Sequence, residues 1–165
     1  MRAFIRLLPL LLLFPILLAC AGCGPKVDLT KGLQLAVVGT GWFDAGIVNG
    51  QSRLIPTVSF TLKNVSDQSL GTLQINAVFR HVNENDDWGN GFMTVVGSEG
   101  LAPGATTATL TIKSHLGYTG RDQTRLEMLA NAHFVDVRVE LFAKYSSTQW
   151  VRVGLVPIAR ELLTK

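Results

Sequence analysis

Two cysteines, Cys20 and Cys23, are the residues whose type and spacing most directly suggest chemistry. A Cys-x-x-Cys pair is redox-active when it lies at a helix start in a βαβ unit, and it supplies half of a zinc site when a second pair completes four ligands. The chain has no other cysteine, and the pair follows a leucine-rich stretch rather than a strand and helix pattern. The sequence therefore disfavours a redox or zinc function for this pair.

Metal ligation elsewhere is also disfavoured. Carboxylate and amide side chains between Asn83 and Gly91 could supply oxygen ligands to calcium, but an EF-hand loop needs Gly at its sixth position and Glu at its twelfth. Trp88 and Thr94 stand there instead, so we expect a solvated hairpin loop and no metal or other cofactor. The histidines lie in three separate segments without the spacing of a zinc site: His81, His115 and His133.

The sequence contains no motif that would activate a nucleophile. Ser98 stands in Gly97-Ser-Glu-Gly100, which lacks the pattern of a nucleophile elbow. Gly39-Thr-Gly41 lacks the third glycine and the following helix of a phosphate-binding loop, so it predicts a bulge or turn in a strand. We therefore predict a non-enzymatic module, with a hydrolase of unrecognised site as an alternative.

Large aromatic side chains in turn-like segments are the candidates for binding a partner. Trp42, Trp88 and Tyr118 are such residues, and exposed aromatics on loops are typical contacts for proteins and sugar rings. The alternative is that Trp42 and Tyr118 fold back and plug the ends of the domain. Trp88, in the most polar loop, is the one we expect to be exposed, whereas Trp150 is interpreted as structural.

Short runs of alternating apolar and polar residues dominate the chain after residue 32 and predict strands. The clearest run has Val58, Phe60 and Leu62 on one face. One internal helix is expected from about Gln123 to Asn131, capped by Asp122. Seven strands without βαβ alternation predict an all-β fold, an antiparallel β-sandwich, with an up-and-down barrel as the alternative. The other runs are 33–38, 73–79, 92–96, 106–112, 135–141 and 150–156.

The first 19 residues have the layout of an exported protein's signal peptide. Fifteen of them are apolar, and both charges, Arg2 and Arg6, precede the apolar run from Leu7 to Leu18. Those twelve residues would span about 18 Å as a helix, too short for a hydrocarbon core of about 30 Å. Without this segment the charge falls to 13 basic against 12 acidic residues, so nucleic-acid binding is not expected.

The residues that follow resemble a known maturation signal. Leu17-Leu18-Ala19-Cys20 is similar to the lipobox of bacterial lipoproteins, and an overlapping second candidate ends at Cys23. The resemblance implies lipidation at Cys20 or Cys23, acyl chains that bind the chain to a membrane, and a place in the bacterial cell envelope. Ala21, where Asp would favour inner-membrane retention, implies the outer membrane facing the periplasm.

The strand and turn motifs resemble a second family. Val58-Ser-Phe-Thr-Leu-Lys-Asn-Val-Ser66, the strand 73–79 and Leu101-Ala-Pro-Gly104 are similar to the immunoglobulin-like domains of FxLYD type, whereas Arg80-His-Val82 departs from that family's pattern. We thus predict a signal peptide over 1–19, a lipidated tether over 20–32 and an immunoglobulin-like sandwich over 33–165. The expected partner is an envelope protein, or a carbohydrate or peptidoglycan as the alternative.

Overall fold

The computed structural model describes residues 25–163, in which two β-sheets pack around one hydrophobic core. The all-β sandwich predicted from the sequence is confirmed, although the described residues form nine strands and two short helices rather than about seven strands and one helix. The strands are β1 (Leu33–Val48), β2 (Gln51–Asn64), β3 (Gln74–His81), β4 (Gly89–Thr94), β5 (Leu110–Lys113), β6 (Tyr118–Gly120), β7 (Val137–Lys144), β8 (Val151–Pro157) and β9 (Leu162–Leu163). The helices are α1 (Leu29–Gly32) and α2 (Arg125–Ala130).

Each sheet turns one face of its strands into the core. The first sheet has the order β5-β2-β1-β9, with β6 also paired to β2, and the second has the order β4-β3-β7-β8. Neighbouring strands are antiparallel except β1 and β9, which are parallel. The predicted alternation is confirmed in β2, β3 and β7, because the alternate residues of these strands that were expected to face inward are buried. These are Val58, Phe60, Leu62, Ile75, Ala77, Phe79, Val137, Val139 and Leu141.

A long hairpin of β1 and β2 forms the backbone of the first sheet. Its turn is Asn49-Gly50, where both residues have positive φ angles of 52° and 74°, as a tight two-residue hairpin turn requires. The register shifts between Val37 and Gly39, so the strand irregularity falls at Val38, just before the predicted Gly39-Thr-Gly41 segment, whose three residues pair regularly with β2. Sequence periodicity missed the second half of β1, because this bulge and a second shift between Asp44 and Ile47 interrupt the alternation.

The chain enters the domain at the end of the sandwich where β1 begins and β2 and β7 end; we term it the entry end. Leu29 of α1 is 2% exposed and belongs to the core, and the Val27 N–H donates a hydrogen bond to the Tyr145 hydroxyl. The packed domain therefore begins before Leu33, the residue at which the sequence predicted its start. The reason is that Leu29 buries its side chain against the core.

The opposite end, where the β1–β2 hairpin turns and β3 ends, is termed the far end. Helix α2 lies there, capped by Thr124 through a capping box with Glu127 rather than by Asp122 as predicted. Asn131 ends the helix as expected, but Leu126 is 67% exposed and does not share the buried face of Met128 and Leu129. A helix of six residues buries only about one turn against the sheet, which leaves Leu126 in solvent.

Three other strands begin at residues different from those that the sequence predicted. β5 begins at Leu110 rather than Thr106, β7 at Val137 rather than Val135, and β4 at Gly89 rather than Phe92. Ala108 and Val135 consequently lie outside the strands, and Val135 is 40% exposed. Near the C-terminus, Leu162–Leu163 form the short strand β9 beside β1.

Candidate functional site

The three aromatic candidates predicted from the sequence meet in one cluster toward the far end. Tyr118 is its centre, with ring centroids 5.4 Å from Trp42 and 5.1 Å from Trp88. Phe134 and His81 complete the cluster: Phe134 lies 4.8 Å from both Trp42 and Tyr118, and His81 lies 4.9 Å from Trp88. Sequence reasoning did not include Phe134 or His81, because their segments are distant along the chain and carry no aromatic periodicity.

Trp42 is the inner residue of this cluster and cannot contact a partner in this conformation. It is 0% exposed, and its ring packs edge to face against Phe134 and at a tilt against Tyr118. Its assignment as a binding residue is therefore corrected to a core residue. Its indole Nε1 has no hydrogen-bond partner among residues 25–163. The alternative reading, in which Trp42 and Tyr118 plug the end of the sandwich, describes the observed positions better.

Tyr118 and Trp88 are half-buried, so the expectation that Trp88 is exposed is wrong: its ring packs against the core. Hydrogen bonds hold the Tyr118 phenol in place. The Tyr118 hydroxyl donates to the Val135 carbonyl oxygen at 3.1 Å and lies 3.1 Å from Nε2 of His81. His81 Nδ1 lies 3.0 Å from a carboxylate oxygen of Glu84. Burial raises the pKa of Tyr118 above its ordinary value, and the negative charge of Glu84 adds to the shift, so the phenol remains a neutral donor.

An open cleft of about 150 Å³ adjoins this cluster. Its walls combine aromatic, amide and hydroxyl groups: Tyr118, Thr119, Gln123, Met128, Asn131, His133 and Phe134. Among residues 25–163 no serine hydroxyl is hydrogen-bonded to a histidine ring, since Tyr118, Glu84 and Asn90 are the partners of His81 and His115. The groups lining the cleft offer hydrogen bonds and apolar contact rather than an activated nucleophile.

In the acidic loop between Asn83 and Gly91, several oxygen atoms bind other groups of the protein. Asp87 pairs with Arg80, Glu84 pairs with His81, and the Asn85 carbonyl accepts a hydrogen bond from Arg80. Within the described part of the chain no group of three or more His, Cys, Asp or Glu side chains is placed to hold a metal ion. The two candidate lipidation residues, Cys20 and Cys23, lie outside the described residues.

Exposed apolar side chains identify two further surfaces that the sequence did not. At the far end, Ile47 in the β1 hairpin arm is 71% exposed and Leu126 on α2 is 67% exposed. On the outer face of the second sheet, Phe92 is 58% exposed and Trp150, interpreted from the sequence as structural, is 39% exposed. Trp150 precedes β8 instead of entering it, so strand alternation does not turn its side chain inward.

Arg125 fixes the far-end surface by joining α2 to the hairpin. Its guanidinium donates to a carboxylate oxygen of Asp44 at 3.0 Å and to the Ser52 hydroxyl at 3.1 Å. One cleft, between α2 and the hairpin, is lined by Ile47 and Arg125 among others, and a second, lined by Leu126 and Leu162, lies against α2 as well. The exposed apolar side chains therefore lie at the end opposite the chain entry, on a surface that the Arg125 hydrogen bonds hold in place.

No family model matches the chain, and no curated protein matches it. Within residues 25–163, neither helix has the length and apolar character that crossing a bilayer would need.

Proposed function

We propose that this protein is a lipid-anchored lipoprotein of the bacterial cell envelope whose β-sandwich is a non-enzymatic protein-interaction module. Its docking surface is the far-end patch, defined as Ile47, Val48 and Leu126. The observation that carries this proposal is the placement of the most exposed large apolar side chains, Ile47 and Leu126, at the end opposite the chain entry. A domain anchored at its entry end presents the far end to partners.

The anchor itself is supported by the sequence. Cys20 precedes Pro25 by five residues, which span at most about 18 Å when fully extended. Because residues 27–32 pack on the domain, little free chain separates the lipidated residue from the entry end. Each buried methylene of an acyl chain contributes about 0.8 kcal/mol, so two or more chains hold a domain stably at a membrane. With so short a connection to the anchor, the entry end stays near the membrane and the far end faces away from it.

The physical character of the far-end patch fits a protein partner. Monomeric proteins leave single apolar residues exposed, but apolar groups gathered on a polar rim are typical of protein contacts. Here Arg125 and Glu127 line the same cleft as Ile47, and Leu126 stands between these two residues in α2 and lines the neighbouring cleft. The capping box and the Arg125 hydrogen bonds hold this surface without a partner. A preformed surface loses little conformational entropy on binding, which favours affinity.

The docking proposal is tested by in-cell crosslinking and co-purification of the full chain. We expect Ile47→Asp and Leu126→Asp each to remove most of the captured partner, since a charge in an apolar contact stays desolvated and unpaired. Val38→Asp is the matched control, because Val38 is 61% exposed in β1 of the first sheet and lies outside the far-end patch. Equal capture by all three variants would contradict docking at the far-end patch.

The anchor is tested separately by mass spectrometry of the mature N-terminus. An N-terminal diacylglyceryl cysteine at position 20 or 23 is expected, with loss of membrane association in the double variant Cys20→Ser/Cys23→Ser. An unmodified mature chain beginning at another residue would refute the anchor.

A second candidate function is carbohydrate binding at the cleft beside Tyr118. The combination of aromatic walls with Gln123, Asn131 and His133 supports it, since sugar rings pack on aromatic faces while amides bond their hydroxyls. The Tyr118 ring also packs against Trp42, Trp88 and Phe134, so a sugar ring would meet its remaining exposed part. Calorimetry with soluble peptidoglycan fragments tests this candidate, and binding that Asn131→Ala does not weaken would exclude the cleft.

A further inference from the structure

The outer face of the second sheet carries an aromatic and basic surface that the proposed docking role does not use. We define it as the entry-end patch: Phe92, Phe142, Lys144, Trp150 and Arg152. The rings of Phe92 and Trp150 meet edge to face with centroids 6.3 Å apart, and the Lys144 ammonium lies 5.0 Å from the Trp150 ring centroid. Phe92 lies on β4 and Trp150 directly precedes β8, at opposite edges of the sheet, so their side chains meet over the outer face of β3 and β7.

The exposed charges of this patch are positive. The Arg152 side chain is 58% exposed, whereas its partner Glu140 is only 12% exposed and is also bound by Arg80 beneath the surface. Lys144 is half-buried, with its ammonium over the Trp150 ring. An approaching surface therefore meets two cations and two exposed aromatic rings.

The patch lies where the chain enters the domain. Lys144 is followed by Tyr145, whose hydroxyl accepts the hydrogen bond from the Val27 N–H, and the Gln68 side chain donates to the Pro25 carbonyl oxygen. Pro25 follows Cys20 by five positions, a reach of at most about 18 Å. Exposed Lys26 and Lys31 lie in the same segment, on either side of Asp28. If Cys20 carries the acyl chains, the membrane surface is within reach of this patch.

We propose that the entry-end patch is a second membrane contact, with Trp150 and Phe92 in the headgroup region and Lys144 and Arg152 paired with lipid phosphates. This inference rests on the lipid anchor of the proposed function. Trp is enriched at membrane–water interfaces because its ring is apolar with one polar edge, and Lys and Arg extend their cations to the headgroups from apolar stems. The contact lays the second sheet toward the bilayer and directs the far-end patch away from the acyl chains.

The experiment uses the full chain, lipidated in a bacterial host and reconstituted into vesicles of phosphatidylethanolamine and phosphatidylglycerol that contain a lipid brominated near the headgroup. Bromine quenches tryptophan emission only at short range. Trp42 is buried and Trp88 lies toward the far end, so we expect quenching to come from Trp150 and to be lost in Trp150→Phe. Lys144→Glu should reduce the quenching, and Val135→Ser, the control at an exposed residue outside both patches, should leave it unchanged.

Three results would overturn the proposal, and each is distinct. Protein that floats with the vesicles but shows equal quenching in wild type and Trp150→Phe retains the anchor and refutes the membrane contact. Protein that does not float with the vesicles refutes the anchor and the contact together. Absent quenching accompanied by crosslinked dimers that Phe92→Ser abolishes would assign the patch to a second copy of this chain. Circular dichroism melts of each variant establish that its fold is intact.

Discussion

The replacement of Glu140 by glutamine tests how the outer face of the second sheet is held together. Glu140 is 9% exposed, and its carboxylate accepts hydrogen bonds from Arg80 at 2.6 Å and Arg152 at 3.2 Å. Burial opposes ionisation of this carboxyl, but the hydrogen bonds from Arg152 and Arg80 outweigh it and hold the pKa of Glu140 below its ordinary value of 4.5. The glutamine variant keeps the shape of the side chain and removes its charge.

The expected loss of stability lies between two limits. Removing one partner of a fully buried ion pair costs about 3–5 kcal/mol, and breaking an exposed pair costs about 0–1 kcal/mol. The Glu140 and Arg80 side chains are 12% and 17% exposed, but Arg152 is 58% exposed and Asp87 still pairs with Arg80. We therefore expect Glu140→Gln to lower the free energy of unfolding by about 2 kcal/mol. At about 3 °C per kcal/mol for a domain of this size, Tm falls by about 6 °C.

The pH dependence separates a charge effect from a packing effect. A carboxyl whose pKa is lower in the folded state than in the unfolded chain contributes stability that is present above pH 4.5 and is lost as the pH falls through the folded-state pKa. Thermal melts followed by circular dichroism should therefore give Tm values for wild type and Glu140→Gln that converge on acidification. A Tm difference at neutral pH that persists undiminished in strong acid would refute this reasoning. Asp136→Asn, in the exposed pair with Arg160, is the control and should cost less than about 1 kcal/mol.

Three further changes test local features of the fold by thermal or denaturant unfolding. Asn64→Ala should cost about 2–4 kcal/mol, because its buried amide donates to the Gln68 and Leu101 carbonyls at 2.8 and 2.7 Å; a loss below about 1 kcal/mol would contradict this. Thr124→Ala should cost about 1 kcal/mol through loss of the α2 capping box, with no loss for a Ser replacement. Gly117→Ala should prevent stable folding, because a Cβ there would lie 2.2 Å from the Leu54 carbonyl oxygen, and a native-like melt would contradict that contact.

The parts of the fold that the sequence predicted are those that depend on local patterns. Val58, Phe60 and Leu62 alternate with polar residues, so their burial follows from strand geometry alone. The turn at Asn49-Gly50 was also readable in principle, since that dipeptide is a strong hairpin signal. It was missed because the two bulges in β1 break the alternation on its N-terminal side.

The aromatic cluster depends on contacts that no local pattern encodes. Trp42, Trp88 and Tyr118 were selected for their residue type, but their meeting with Phe134 follows from the pairing of β6 with β2 and from the position of the segment after α2. Tertiary pairing also decides their exposure. Trp42 lies in a strand that is covered on its inner face, whereas Trp150 precedes its strand and stays partly in solvent.

The hairpin of β1 and β2 runs from one end of the sandwich to the other and helps to fix the orientation of the two proposed surfaces relative to each other. β1 begins beside α1 at the entry end and reaches Val48 at the far end, so one continuous ladder joins the two ends. β9 and Arg125 brace that ladder near the far end, through the Trp42 N–H bond to the Glu161 carbonyl and through Asp44. The entry-end patch lies on the second sheet, and β1 packs against β8 across the core, with Leu35 beside Gly154. Because paired strands join the two ends and the core joins the two sheets, a membrane contact at Trp150 would set the direction of Ile47 and Leu126. Orientation at the bilayer and partner access at the far end should consequently change together in any variant that releases the entry-end patch.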